Sequence, residues 1–437
     1  MEVLSGLMAI QALSIRGGKR LRGEITVSGS KNAALPIMAA ALLCDEPVTL
    51  HRVPDLADIR SLIELLQILG VEITRTGSTM TLRVVDDQPV HAPYDMVRKM
   101  RASICVMGPL LARRRQALVS MPGGCAIGAR PIDLHLLGMQ ALGARVDLQA
   151  GDVHVQADRL VGDTIFMGGP FGSTVLGTTN VMCAAVLAEG TTVIESAACE
   201  PEVVDLAHML NACGARIAGA GGPTITIEGV RRLAGCTHTV IPDRIEAGTF
   251  IMAAAMTNGE LTVGPMRLEH LYAVTDRLRR IGVNLELVRG RPGEEQWVRA
   301  SSDRRLSPVD VVTQPFPGYP TDLQAQIMAL LCLADGMSVI TEKIFAERFL
   351  HTAELLRMGA NIRKEGATVI VSGVRELIGA PVMASDLRAS AALVLAGLAA
   401  RGTTKVNRVY HIDRGYEHIE RKLVGVGADI ERVASDM

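Results

Sequence analysis

At 437 residues and roughly 150 per domain, the chain has length for about three domains, and 48% hydrophobic against 21% charged residues excludes extensive disorder. Aromatic residues are only 3%, so the cores must be aliphatic, and the stacking platforms that grip single-stranded nucleic acid are mostly missing. With 45 basic against 46 acidic residues there is no global field to draw in polyanions, which argues against nucleic acid as a partner.

The N-terminus, MEVLSGLMAIQALSIRGGKR, places an acid at position 2 and its basic residues after the apolar part, the wrong order for a secretory signal. Roughly the first eight residues read as a loose tail. The longest apolar stretch, Ala33 to Cys44, contains a proline and is shorter than the ~18 residues a bilayer requires, so no membrane helix is predicted. Eight cysteines without a C-x-x-C pair suggest neither a disulfide scaffold nor zinc, and fit a reducing cytoplasm.

From Leu35 onward one unit recurs six times: an Ala/Met/Leu-rich helix, a tight turn, a Val/Thr-rich strand, a loop, an amphipathic helix and another strand. The copies begin LPIMAAALLCDEPVTL, SICVMGPLLARRRQALVSM, NVMCAAVLAEGTTVIES, FIMAAAMTNGELTVGPM, QIMALLCLADGMSVITE and ALVLAGLAARGTTKVNR. Each closes on a glycine, Gly70, Gly143, Gly214, Gly282, Gly359 or Gly427, just past the last apolar residue of a helical pattern, where a left-handed C-cap belongs. Six units imply two pseudo-threefold domains of three units rather than three domains. The first helix of each unit, apolar nearly all round, belongs inside a domain, with sheets wrapped outside. The chain divides near residues 230–245, and a cleft between the halves is the expected site.

Polar residues recur where each buried helix begins. VSGSKNAALP supplies Lys31 and Asn32, MRASI supplies Arg101, PDRIEAGT supplies Arg244 and Glu246, PTDLQAQ supplies Asp322, and SDLRAS supplies Asp386 and Arg388. Helix N-termini pointing one way gather these charges at the cleft. The segment MPGGCAIGARPIDLHLL sets Cys125 among Gly123, Gly124 and Gly128, with Arg130 placed to hold an anion or lower the thiol pKa and Asp133 starting a helix. ARRRQ (112–116) reads as a solvated face, and ACEPEVVD places Glu200 and Glu202 before a helix. HIDRGYEHIE carries His411, Asp413 and Arg414, with no third ligand to make a metal site. No P-loop or strand-linked G-x-G-x-x-G occurs, which argues against ordinary nucleoside triphosphate or dinucleotide chemistry.

Together SGSKNAALP, MRASICVMGPLLAR, PGGCAIGARPIDLH, PDRIEAGT, PTDLQAQ, DLRASAALVLAG and HIDRGYEHIE resemble the UDP-N-acetylglucosamine 1-carboxyvinyltransferases, a family of enolpyruvyl transferases, over essentially the whole chain. The resemblance implies an α/β fold of α+β repeats, the inside-out α/β barrel of the enolpyruvyl transferase type, with six βαβαββ-like repeats. It implies domains at 31–241 and at 1–30 plus 242–437, the N-terminal strand packing with the second. It further implies transfer of the enolpyruvyl group from phosphoenolpyruvate to the 3-hydroxyl of UDP-N-acetylglucosamine with release of phosphate. That is a cytoplasmic step of peptidoglycan synthesis, serving cell-wall biogenesis, cell shape and cell division, with no cofactor or metal and a monomeric enzyme.

By the same resemblance the catalytic residues are Cys125, Asp322, Arg414 and Lys31. Cys125 is the lid thiol that protonates the methylene carbon, and Asp322 is the carboxylate facing the sugar hydroxyl. Phosphoenolpyruvate is held by Lys31, Asn32, Arg130 and Arg414. UDP-N-acetylglucosamine is held by Arg101, Arg130, Pro131, Ile132, Asp133, Leu134, Ser173, Thr174, Val175, Asp322 and Ile344. The chain departs from the family pattern in GPFGSTVLGTTNVM (169–182) and at Cys199, where many members have arginine. An enolpyruvyl transferase for another nucleotide, or a silent UDP-sugar-binding regulator, are the competing readings. Shikimate-pathway enolpyruvyl transferases share the fold but lack the lid cysteine and the GARPIDLH segment.

Overall fold

The structure is a computed structural model describing residues 11–121, 131–303 and 306–435. The N-terminal tail, Cys125 with its flanking glycines, and Arg130 lie outside the described residues.

Buried apolar side chains form two clusters. One runs from Ala33 to Val240; the other joins Leu13–Val27 to Ile245–Ile430. At the centre of the first lie the helices Lys31–Ala40, Met107–Arg114 and Val175–Ala185; at the centre of the second, Arg244–Met256, Gln324–Leu331 and Leu387–Ala399. Every residue of Arg244–Met256 is buried. Alanine and glycine on these helices let their axes approach closely, while each buried Leu, Ile or Met contributes about 1.5–3 kcal/mol. A buried helix start needs partners for its free N–H groups, and side chains provide them. Ser30 accepts from Ala33 N, Thr174 from Gly177 N, Asp243 from Ile245 N and Glu246 N, and Asp386 from Arg388 N and Ala389 N.

Among the described residues six four-stranded sheets surround the helices. Each has one parallel pair followed by two antiparallel ones, as in Thr237–Thr239 beside Val48–His51, then Thr79–Val84, then Val71–Thr76. The sheets stay separate, so the inside-out barrel is an arrangement of open sheets around helices. Two sheets of the second half borrow N-terminal strands. Gln11–Arg16 lies between Thr403–Asn407 and Asp429–Ala434, and Arg22–Thr26 pairs in parallel with Glu260–Met266. All six closing glycines have left-handed φ, between 81° at Gly70 and 104° at Gly282, so a side chain there would strain each helix end.

The chain passes between the halves twice, side by side. Gly29 bridges Pro242, Ser30 N donates to Ile241 O at 2.7 Å, and Asp243 N donates to Ser28 O at 2.9 Å. Among the described residues no helix is long and apolar enough to cross a membrane.

The basic run 112–116 is not a solvated face. The Arg114 side chain is 2% exposed and donates to Leu69 O at 2.8 Å, while Arg113 pairs with Asp45 and Asp87. Arg113 and Arg114 instead cross-link the neighbouring turns while Arg115 is exposed, a division that a run of like charges does not reveal in sequence.

Candidate active site

Where the halves meet, the charges at the helix starts form one connected network. Lys31, the first residue of its helix and 6% exposed, donates from Nζ to Asp58 Oδ2 at 3.1 Å. Arg414, from the second half, donates from Nε to Asp58 Oδ1 at 2.8 Å. One buried carboxylate thus holds two cations from opposite halves. Burial opposes charge on Asp58, but Lys31 and Arg414 outweigh it and keep its pKa below the usual aspartate value. For Lys31 burial dominates and lowers the pKa, with Asp58 opposing.

Asn32 reaches across the same boundary, its Nδ2 donating to Asp322 Oδ2 at 3.2 Å. Arg348 donates to Asp322 Oδ1 at 2.8 Å, and Arg388 Nε to Oδ2 at 3.3 Å. Burial would raise the Asp322 pKa, yet Arg388, Arg348 and Lys31 hold it well below the ordinary carboxylate range. Arg348 also stands 4.0 Å from Asp386. The connected group sets four cations, Lys31, Arg348, Arg388 and Arg414, against four carboxylates, Asp58, Asp322, Asp386 and Asp243, the last accepting from Lys31 N at 3.3 Å. A chain of net charge −1 thus concentrates alternating charges at this boundary, with Lys31, Arg348 and Arg388 buried.

The residues expected to hold the nucleotide form a second group in the first half. Ile132 is buried and Asp133 opens the helix Asp133–Ala141. Exposed Pro131 precedes them. Leu134 lies beside Gly169 in the hairpin Gly168–Gly169/Gly172–Ser173, and Thr174 and Val175 start the next buried helix. His135 meets Asn180 at 2.9 Å, and Asn180 Nδ2 also donates to Ile104 O, three residues beyond Arg101. Burial, then the Arg101 charge, lowers the His135 pKa to about 4, so this histidine is neutral. The hairpin reaches the other half at Gly172, where φ is +95° and an added Cβ would come within 2.9 Å of the Pro315 ring. Ile344 follows Glu342, whose carboxylate accepts from Ile344 N at 2.8 Å and from Thr321 Oγ1 at 2.9 Å, tying that turn to the neighbour of Asp322.

Between the two groups Arg244 forms a buried two-point pair with Glu202, at 2.9 and 3.2 Å. Glu200 accepts from Phe316 N at 3.3 Å, and burial raises its pKa. Replacing Glu202 by glutamine leaves Arg244 buried without its counter-charge, at a cost on the order of 3 kcal/mol. The thermal midpoint is expected to fall by on the order of 10 °C by calorimetry; an unchanged midpoint would refute the pair's structural role.

Lys31, Asn32, Asp322 and Arg414 are thus brought together. Asp58 and Arg348, which hold them, went unnoticed in the sequence. The signal for Asp58 is a charge in apolar register, one and two turns before Leu62, Leu65 and Leu66 on the helix Ala57–Ile68. The possible ligand Asp413 is paired with Arg432 at 2.7 Å. A cavity of about 660 Å³ lined by Asp45, Arg113, Arg115, Glu189, Arg231 and Arg232 among others shares none of these site residues, so the charged network and not that hollow marks the site.

Comparison with known proteins places the whole chain in one family. Residues 15–423 match the EPSP synthase (3-phosphoshikimate 1-carboxyvinyltransferase) family. A UDP-N-acetylglucosamine 1-carboxyvinyltransferase of Methylacidiphilum infernorum is 53% identical over 96% of this chain and 98% of its own. One from Nitratidesulfovibrio vulgaris is 54% identical over 97% and 99%. Among solved structures, the enolpyruvyl transferase NikO from Streptomyces tendae superposes with TM-score 0.87 at 27% identity, covering 98% of this chain and all of that one. An EPSP synthase from Acinetobacter baumannii shares the fold, with TM-score 0.74 at 19% identity over 97% of this chain and all of its own. The chain belongs to the UDP-N-acetylglucosamine 1-carboxyvinyltransferases, within the EPSP synthase family.

Proposed function

We propose that this protein transfers the enolpyruvyl group of phosphoenolpyruvate to the 3-hydroxyl of UDP-N-acetylglucosamine, releasing phosphate, as a cytoplasmic step of peptidoglycan precursor synthesis. The observation that carries the reading is the network joining Lys31, Asn32, Asp322 and Arg414 across the two halves.

Asp322 takes the proton of the sugar hydroxyl as its oxygen bonds to C2 of phosphoenolpyruvate, and Cys125 gives a proton to C3. In the second step C3 loses a proton and the C2–O bond to phosphate breaks, restoring the double bond. Lys31, Arg414 and Arg130 hold phosphate and carboxylate while charge builds on the tetrahedral adduct, and Asn32 spans the boundary beside them. Arg101, residues 130–134, Ser173, Thr174, Val175 and Ile344 hold the nucleotide sugar. The units 31–241 and 1–30 plus 242–437 then act as two domains with the reaction between them.

The test is release of phosphate from phosphoenolpyruvate with and without UDP-N-acetylglucosamine. Release is expected only with the acceptor, and Cys125→Ala is expected to abolish it; turnover with a different nucleotide alone would overturn the acceptor assignment, and binding without turnover would overturn catalysis. The epoxide fosfomycin should alkylate Cys125 in peptide mass spectra, and Cys125→Asp should resist it while keeping activity. Of the other seven thiols, Cys44, Cys105, Cys183, Cys213 and Cys332 are buried, with burial pushing the Cys105 thiol up to about 12. The half-buried Cys199 and Cys236 are held above the ordinary thiol pKa, so each of the seven reacts more slowly than an ordinary exposed thiol. Modification elsewhere would remove Cys125 from its proposed role.

A further inference from the structure

The outer helix Pro201–Ala212 ends at Cys213, and Cys236 directly precedes the strand Thr237–Thr239. Their sulfurs stand 3.0 Å apart, closer than unbonded sulfur atoms normally rest. The surrounding backbone fixes this approach. Ala234 N donates to Cys213 O at 2.9 Å, Thr49 N to Cys236 O at 2.8 Å and Asp45 N to Leu233 O at 2.9 Å. Buried Cys44 lies close enough to Cys213 to raise its pKa. Cys213 is buried and Cys236 half-buried. None of the three belongs to the proposed transfer site.

We propose that Cys213 and Cys236 form a dithiol site that low-molecular-weight disulfides convert to an intramolecular disulfide. The more accessible Cys236 loses its proton and attacks one sulfur of the reagent, breaking the reagent's S–S bond and releasing one thiolate. Cys213 then loses its proton and attacks Cys236 Sγ, forming the Cys213–Cys236 bond and expelling the second thiolate. Two protein thiols are oxidised with loss of two protons, and the reagent is reduced to two thiols. The sulfurs need close by only about 1 Å to reach bonding distance.

The contact with Cys213, then burial, hold the Cys236 thiol well above its ordinary pKa, so the first exchange is slow at neutral pH. The bridge lies beside one passage between the halves. The helix ending at Cys213 also carries Asp205, which accepts from Ile241 N at 3.2 Å and meets His238 Nε2 at 2.9 Å, while Cys236 begins the strand leading there. Oxidation ties that helix end to this segment covalently.

The experiment incubates the full chain with glutathione disulfide at mildly alkaline pH, maps peptides without reduction, and records thermal unfolding. The expected result is a Cys213–Cys236 cross-link reversed by dithiothreitol, with the midpoint raised by on the order of 5 °C. Neither should appear in Cys213→Ser, whose retained phosphate release would confirm that it folds. A Cys44–Cys213 bridge, glutathione adducts alone, or unmodified Cys213 and Cys236 would each overturn the proposal.

Discussion

Asp322→Asn is expected to lower kcat about 10²- to 10⁴-fold while leaving the KM for phosphoenolpyruvate unchanged or lower. This carboxylate accepts from Arg348, Arg388 and Asn32 together. Its low pKa keeps it ionised through neutral pH but makes it a weak base. On the proposed assignment, an incoming phosphate and carboxylate would compete for Lys31 and the neighbouring arginines, weaken their hold on Asp322 and raise its basicity as the sugar hydroxyl arrives, turning a counter-ion into a proton acceptor. Asparagine keeps the shape and removes the negative charge, so the site becomes more cationic and binds the anion at least as well while the proton has nowhere to go. A mainly structural Asp322 would show the opposite split, with raised KM and little change in kcat. The linkage has a definite sign. A depressed folded pKa means that Asp322 contributes stability above the unfolded aspartate value of 3.8, lost as pH falls through the folded value, so the variant should lose part of the native acid sensitivity.

What could be read from sequence was what is local. A glycine one residue past an apolar helical pattern specifies a left-handed cap by itself, and all six have positive φ. Ala-rich stretches without a polar face specify buried helices just as directly. Sheet assembly is non-local: Thr237–Thr239 pairs with Val48–His51 almost two hundred positions earlier, and nothing in THT names that partner. The N-terminal strand's place in the second half came from the family resemblance and not from its own residues. The site divides in the same way. Lys31, Asn32, Asp322 and Arg414 sit in polar turn motifs beside helix starts and announce themselves. Asp58 and Arg348 are counter-charges delivered by packing, 27 and 26 positions from the residues they hold. Arg348 precedes the helix His351–Arg357 and is 4% exposed, yet in KIFAERFL it reads as one more surface arginine. The contact between Cys213 and Cys236 was equally silent, since 23 residues separate them.

Loss of the Lys31 charge is the second large effect. Lys31→Ala is expected to reduce kcat/KM for phosphoenolpyruvate about 10²- to 10³-fold, with little change in KM for the nucleotide sugar, whose proposed contacts lie elsewhere. Lys31→Arg should recover part of the loss, because charge is kept but the compact ammonium that fits against Asp58 is not. The pH profile distinguishes charge from shape. Burial lowers the Lys31 pKa from 10.5, so Lys31 loses its proton at lower pH than a solvated lysine and its contribution to activity fades on the alkaline side. Arginine does not titrate there, so the alkaline limb of kcat/KM should move upward in Lys31→Arg. The same shift makes folding pay for the buried ammonium below the folded pKa, a penalty that fades as pH rises from that value towards 10.5. Asp58 is the largest attraction opposing the burial that lowers the Lys31 pKa, ahead of Asp322. Asp58→Asn removes that attraction at 3.1 Å and leaves Arg388 and Arg414 opposed by Asp322 alone. The alkaline limb should then move further down, with kcat/KM already reduced at neutral pH. An unmoved limb in both Lys31→Arg and Asp58→Asn would show that Lys31 does not act through its charge.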